Sequence, residues 1–455
     1  MDLGSDQRQE RQEAGQEDVA NNFLISLQAN IEDCTLCHIS YDWTDEDFDF
    51  TEETQVDCLI CHDTTGTYAL AKFHQDGAKC SVCHDEKLSD DDREEVDLAE
   101  VAHSIGQPSR QTCGSCHFYG GSGDGAKHGD LDSSLVQPTA SVDVHMDADG
   151  LNFACTTCHR TGQHVLTGSR YVMRPSDTGK IDVVKGGRGT CQSCHGDHPM
   201  QDPKLNDHTD RVACQTYHIP TFARGGVSTK MMWDWSTAGK RGRKGKAVVR
   251  KDDEGRVIYT SQKGDVSWDD NVIPQYIWFN GKVDYILPGE KQDPERGIFI
   301  NRYLGSADDV KSRIFPVKVA MSKQPFDEVN EILAMPRLVG RGRDPYWSGY
   351  KWERALRADM KRLGLPFSGE FSFVETSMLW PINHMVAPVE DSVTCEECHS
   401  RNGRMADIEG VYIPGRDRST LLDLVGMGMV VLTLIAVFIH SMLRVVVPIF
   451  RRGAS

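Results

Sequence analysis

Seven times along this chain two cysteines stand three residues apart with a histidine directly after the second. They are Cys34, Cys37 and His38; Cys58, Cys61 and His62; Cys80, Cys83 and His84; and Cys113, Cys116 and His117. Cys155, Cys158 and His159; Cys191, Cys194 and His195; and Cys395, Cys398 and His399 complete the set. Two thiols so spaced can add across the vinyl groups of one porphyrin while the adjacent imidazole binds its iron. The motifs use 14 of the 15 cysteines. Neither a disulfide framework nor paired zinc ligands would explain a histidine after every second cysteine. The pattern therefore calls for covalently attached haem c at each motif. The remaining cysteine opens a degenerate copy, Cys214-Gln-Thr-Tyr217-His218, with tyrosine in the second cysteine's place. That site can hold an eighth haem through one thioether with His218 on the iron, or it can have lost its haem; the eighth haem is the expectation.

A haem iron has two axial positions, so a second set of ligands is needed. Of the 17 histidines, His74, His103, His128, His145, His164, His198, His208, His384 and His440 follow no motif. His440 lies in an apolar run, which leaves eight candidates for distal positions. Iron held by two histidines passes electrons, whereas iron with a different or labile ligand can meet substrate. The stretch Cys113 to Asp130, CGSCHFYGGSGDGAKHGD, offers such a ligand. Asp124, Lys127 and His128 stand on a turn whose Gly120, Gly121, Gly123 and Gly125 let the backbone bend tightly and approach a flat macrocycle. A solvated surface loop is the competing reading of that turn.

The elements that must position these groups are read from the rest of the chain. Residues 1–100 hold 27 acidic and 6 basic side chains, a balance of -21 within a total of -18. This acidic first quarter argues against nucleic acid as a partner and suits solubility or docking, with residues 1–28 as a polar, acidic arm. It has no charged-then-apolar leader pattern, so a processed, truncated or misassigned start is expected. Residues 29–218 carry seven of the eight sites and are expected to be mainly α with little regular secondary structure, wrapped around a packed haem array that itself forms the apolar core. Asp85 to Glu100 reads as a solvated insertion. Residues 219–394 carry no motif and seven tryptophans, a haem-free elaboration expected to pack on the haem domain. Within it the basic run Lys240 to Lys251 reads as a solvent-facing loop. Trp352, Leu356, Met360 and Leu363 recur at helical spacing, with Met360 read as core. Residues 395–420 form the last haem motif and a linker. An apolar stretch at 421–443 is long enough for the ~30 Å bilayer core. Arg444, Arg451 and Arg452 in the 444–455 tail put that end on the cytoplasmic side and the haems outside.

Five longer stretches carry a resemblance to a known family: VDCLICHDTTGTY, CGSCHFYGGSGDGAKHGDLDSSL, RVACQTYHIPTFARGG, MMWDWSTAGK and ETSMLWPINHMVAP. From about Asn21 to Arg404 the chain resembles the octahaem tetrathionate reductases. The resemblance implies a periplasmic enzyme that reduces tetrathionate and also accepts nitrite and hydroxylamine, with lysine as an axial ligand of one active-site haem. Carried over by motif, Lys127 looks like that lysine, Asp124 lies beside it, and the haem is the one on Cys34 and Cys37. His128, His145, His164, His198, His208 and His384 fall on distal-ligand positions, with His74 and His103 as further candidates. The chain departs from the pattern in four places. Leu24 follows Phe23 where the family has a cysteine, the family's first motif is missing, the motif at Cys80 is an addition, and Tyr217 replaces a haem cysteine.

Two functional readings follow. One is a membrane-anchored reductase of a small inorganic anion, fed by a quinol-oxidising membrane cytochrome or another electron donor. The other is an electron conduit with no substrate chemistry of its own.

Overall fold

The computed structural model describes Ile25 and residues 57–65, 67–68, 97–120, 123–162, 165–166, 189–340 and 342–453. Cys34, Cys37, His38, His74, Cys80, Cys83, His84 and His164 lie outside these residues, as does most of the acidic first quarter. The chain divides into two compact units, Met1–Val393 and Thr394–Ser455.

In the first unit the described haem motifs sit on short helices joined by loops, but the expectation of a mainly α chain is corrected by residues 219–394. They build a nine-stranded sheet, so helix and sheet are mixed. Its centre is the strand Arg313–Asp327. That strand pairs antiparallel with Phe371–Pro381 over eleven positions, from Val317 opposite Pro381 to Asp327 opposite Phe371. On its other side it runs parallel to Thr229–Asp234, with Met321 opposite Met232. Beyond Thr229–Asp234 lie Gly264–Asp269, Val257–Thr260 and Val249–Lys251; Ile298–Phe299 closes the opposite edge. Nearly every residue of Arg313–Asp327 is buried. A strand covered on both faces loses the alternation that marks a half-exposed one.

The sheet carries a conventional side-chain core. Trp233, Trp235, Met378 and Trp380 join Tyr346 and Met360 in one buried cluster. Trp233 stacks on Trp235 at 5.0 Å, and Tyr346 on Trp352 at 3.8 Å. The helix Trp352–Arg362 buries Ala355, Leu356 and Met360, as its period requires. The Met360 sulfur accepts the Met335 N–H at 3.3 Å, which makes it a core side chain. The basic segment from Lys240 to Lys251 is mostly exposed; Lys240 and Arg250 reach Asp265 at 3.8 and 2.6 Å.

In the second unit a capping box between Thr394 and Glu397 starts the helix Cys395–Cys398, and Arg404 binds Glu397 at 2.7 Å. A helix follows over Thr420–Gly453. Its Thr420–Arg444 portion is long and apolar enough to cross a membrane, and its side chains are exposed.

Candidate functional site

One turn of helix puts residues three apart on one face, and the described motifs fold as such turns. They lie on Cys58–His62, Arg110–His117, Cys155–Cys158, Gln192–His195, Cys214–His218 and Cys395–Cys398. Local caps fix several of them. Asp57 accepts the Leu59 N–H at 3.1 Å, and Ser109 with Thr112 forms a capping box before Cys113. Cysteine is among the most buried residue types, yet none of the eleven described cysteines is buried and none forms a disulfide. The motifs also stand in series. Cys116 acts electrostatically on Cys61, Cys113 shares a hydrogen bond with Cys155, Cys158 acts on Cys191, and Cys191 shares one with Cys214. Each shared bond pushes one thiol up and the other down, Cys155 and Cys214 both to about 7.

Five of the described histidines share a second regularity: Nδ1 lies within hydrogen-bond distance of a partner. His62 reaches Gly106 O at 2.9 Å, His399 reaches Pro414 O at 3.1 Å, and His218 reaches Ser392 Oγ at 3.2 Å. His208 meets the Tyr217 hydroxyl at 3.0 Å, His384 meets Asp130 Oδ2 at 3.1 Å, and His145 lies 3.8 Å from Asp143. An imidazole that donates from Nδ1 carries its lone pair on Nε2, the arrangement of a metal-bound histidine held by an outer partner. The rings gather in pairs: His159 with His384 and His145 with His195, each at 6.1 Å. Paired thiols on one helical face, tethered imidazoles and clustered rings fit haem c at these motifs.

The Lys127 turn is built on the sheet. Lys318 stands opposite Trp380 in the antiparallel ladder, so both project from the same face. Lys318 is fully buried, and its ammonium donates to Ala126 O at 2.9 Å, to Lys127 O at 3.0 Å and to the Thr229 hydroxyl. Thr229 in turn donates to Gly125 O at 2.7 Å. Three adjacent strands thus supply Thr229, Lys318 and Trp380 as a platform under residues 125–128. Lys127 Nζ lies 4.6 Å from the Trp380 ring centre, and His128 meets the same ring edge-on at 5.0 Å. Burial, followed by the charges of His384 and Lys127, holds the His117 imidazole below its usual range. Lys127 therefore sits among His117, His128 and His384.

Two glycines make the close seating possible. Gly125 has φ +64°, and a Cβ there would stand 3.1 Å from Val227 and 3.2 Å from Asp132. Gly129 has φ +81°, with Phe222 only 2.8 Å from where a Cβ would be. Both need the left-handed region and both face packed protein, so the glycine-rich composition serves the sheet platform.

A family model described as bacterial cytochrome c matches residues 230–402. The crystal structure of octaheme cytochrome c from Shewanella oneidensis is 38% identical, covers 87% of this chain and 85% of its own, and superposes with a TM-score of 0.70. The chain belongs to the octahaem cytochromes c. It is a multihaem c-type cytochrome that binds haem and transfers electrons. An uncharacterized protein of Archaeoglobus fulgidus is 26% identical over 161 residues, 33% of this chain and 50% of that protein. The cytochrome thus spans about half the length of that curated relative.

Among the site residues expected from sequence, the fold gathers Lys127, His117, His128, His159 and His384 about the turn, and His145, His195, His208 and His218 farther along the series. His103 and His198 are exposed. Asp124 accepts the Ser133 N–H at 2.9 Å and the Ser133 hydroxyl, so both carboxylate oxygens secure the loop after the turn. Sequence reasoning missed Asp130, Asp143, Thr229, Lys318 and the contact role of Trp380. Burial raises the Asp130 carboxyl, but the hydrogen bond and charge of His384, the charge of His128 and the Asn383 N–H outweigh it and hold it below its usual range. Asp130 is the buried carboxylate that orients His384. The one sequence signal for it was an acid two residues after His128.

Proposed function

We propose that this octahaem cytochrome is a reductase of a small inorganic anion or nitrogen oxide, with tetrathionate, nitrite and hydroxylamine as the substrates to test. The observation that carries the reading is the Lys127 amine, held over Trp380 by a turn whose backbone is pinned from beneath by Lys318 and Thr229. A lysine that served only solubility would need no such seat. Only the neutral amine can ligate iron. In this reading Lys127 would be the axial ligand of the haem on Cys34 and Cys37, as the family resemblance implies. Asp124 keeps the turn in place through Ser133. Haem c, when bound, would supply one-electron equivalents, and Lys127, standing in place of a second histidine, would be the ligand able to give way to substrate.

The chain's own groups do the rest. Cys34, Cys37, Cys58, Cys61, Cys80, Cys83, Cys113, Cys116, Cys155, Cys158, Cys191, Cys194, Cys395 and Cys398 would hold seven haems by paired thioethers, and Cys214 an eighth by one. Reduction of tetrathionate to two thiosulfates takes two electrons, which the series of attachment points is suited to deliver. The exposed apolar helix supports an anchored protein with its haems on the periplasmic side of a bacterial inner membrane and a quinol-oxidising partner as donor.

The test is turnover of each substrate by wild type and Lys127→Ala, with a reduced dye as donor. The reading expects a rate change of at least tenfold for one substrate, with electron uptake into the other haems unchanged. Equal rates in the two proteins would instead favour a conduit.

A further inference from the structure

We propose that Tyr217, which stands where a haem motif has its second cysteine, is a positioning residue for the iron ligand His208. The inference rests on the reading of His208 as a distal ligand and goes beyond it by giving the departure from the motif a role.

The geometry is specific. The Tyr217 hydroxyl lies 3.0 Å from His208 Nδ1. The two ring planes are within 7° of parallel, with centroids 6.4 Å apart. With Nε2 on iron, Nδ1 carries the proton and donates to the phenol oxygen. The other tethered histidines use backbone carbonyls, a serine hydroxyl or an aspartate for the same purpose. For His208 the partner is a side chain on a neighbouring haem motif.

The motif that carries Tyr217 is well anchored. Ala213 N–H and Thr216 Oγ both donate to Ile314 O, at 3.0 and 2.8 Å, tying the helix Cys214–His218 to the central strand. Tyr217 O accepts the Val393 N–H at 2.9 Å, and His218 O accepts the Ala387 N–H at 2.7 Å. On the opposing side, Asp202 starts the helix Pro203–Thr209, and His208 O accepts the Arg211 and Val212 N–H groups. Both ends of the Tyr217–His208 bond are therefore fixed before iron is considered. A cysteine at 217 could not replace it, since a thiol is a weak acceptor and its side chain is far shorter. The chain exchanges one thioether at the Cys214 site for an outer-shell hydrogen bond to His208.

Loss of such a partner typically loosens a metal ligand 10–100-fold. The experiment uses the full-length, haem-loaded protein and titrates cyanide against the oxidised form, following the absorbance of individual haems. Intact mass confirms an unchanged haem count in each variant. Tyr217→Phe keeps the ring and removes the oxygen, and is expected to let cyanide enter one haem at about 10–100-fold lower concentration than in wild type. His208→Ala is expected to open that same haem outright. A Tyr217→Phe titration identical to wild type, beside a His208→Ala protein with one altered haem, overturns the positioning role while leaving His208 as a ligand. A His208→Ala protein with every haem unaltered overturns both. A lower melting temperature in Tyr217→Phe with an unmoved cyanide titration marks Tyr217 as structural only and also overturns the proposal.

Discussion

Asp132 shows how one buried carboxylate can set a pH dependence. It is fully buried, Ser134 binds one of its oxygens, and Oδ2 has no hydrogen-bond partner among the described residues. Burial raises its pKa most, Ser134 offsets part of that, and repulsion from Asp124 and Asp130 adds to it, so the group is pushed up to about 6 from an ordinary 3.8. The native chain then binds more protons than the unfolded chain between those values. The stabilisation is fully present below the unfolded pKa and is lost as pH rises through about 6, a total of about 3 kcal/mol. Asp132→Asn keeps an N-cap side chain. It is expected to raise the melting temperature at about pH 7 and to leave it unchanged near pH 4, because only the ionised carboxylate is penalised. An equal gain at both pH values, measured by calorimetry, would contradict this account. At this scale the attachment residues were legible in the sequence because their chemistry lies in spacing over five positions. The partners of the histidines were not: Asp130 and His384 are 254 positions apart, and no local pattern links them.

At the scale of elements, the sheet matters to the site because it presents Thr229, Lys318 and Trp380 on one face beneath the Lys127 turn. Lys318→Met removes the donors to the buried Ala126 O and the half-buried Lys127 O. The variant is expected to lose about 1–3 kcal/mol of stability, measured by thermal unfolding, and to perturb the same haem signal that Lys127→Ala perturbs. Lost stability with every haem signal intact would mean that the platform supports the fold without setting the turn. The helix Trp352–Arg362 was legible because its apolar residues follow the 3.6-residue period. The strand Arg313–Asp327 was not, because burial on both faces and the embedded Lys318 erase the alternation that identifies a strand. Residues 219–394 therefore read as an elaboration without motifs, although they hold both the tryptophan core and the seat of Lys127.

At the scale of the whole molecule, the haem motifs all precede Arg404 and the apolar helix follows them. Removal of residues 421–455 is expected to release a haem-loaded domain into the soluble fraction; retention of that truncated protein in washed membranes would require another anchor or a tight partner. Intact mass is expected to show eight haems per chain, with Cys214 modified and Tyr217 intact, whereas seven haems and an unmodified Cys214 would mean that the degenerate motif has lost its cofactor. The most direct test of the central claim is low-temperature electron paramagnetic resonance of the oxidised, full-length cytochrome beside its Lys127→Ala variant. The account predicts one iron outside the bis-histidine set in the wild type, and a change confined to that signal in the variant. A wild-type spectrum in which every iron is bis-histidine, or one left unmoved by Lys127→Ala, would contradict it.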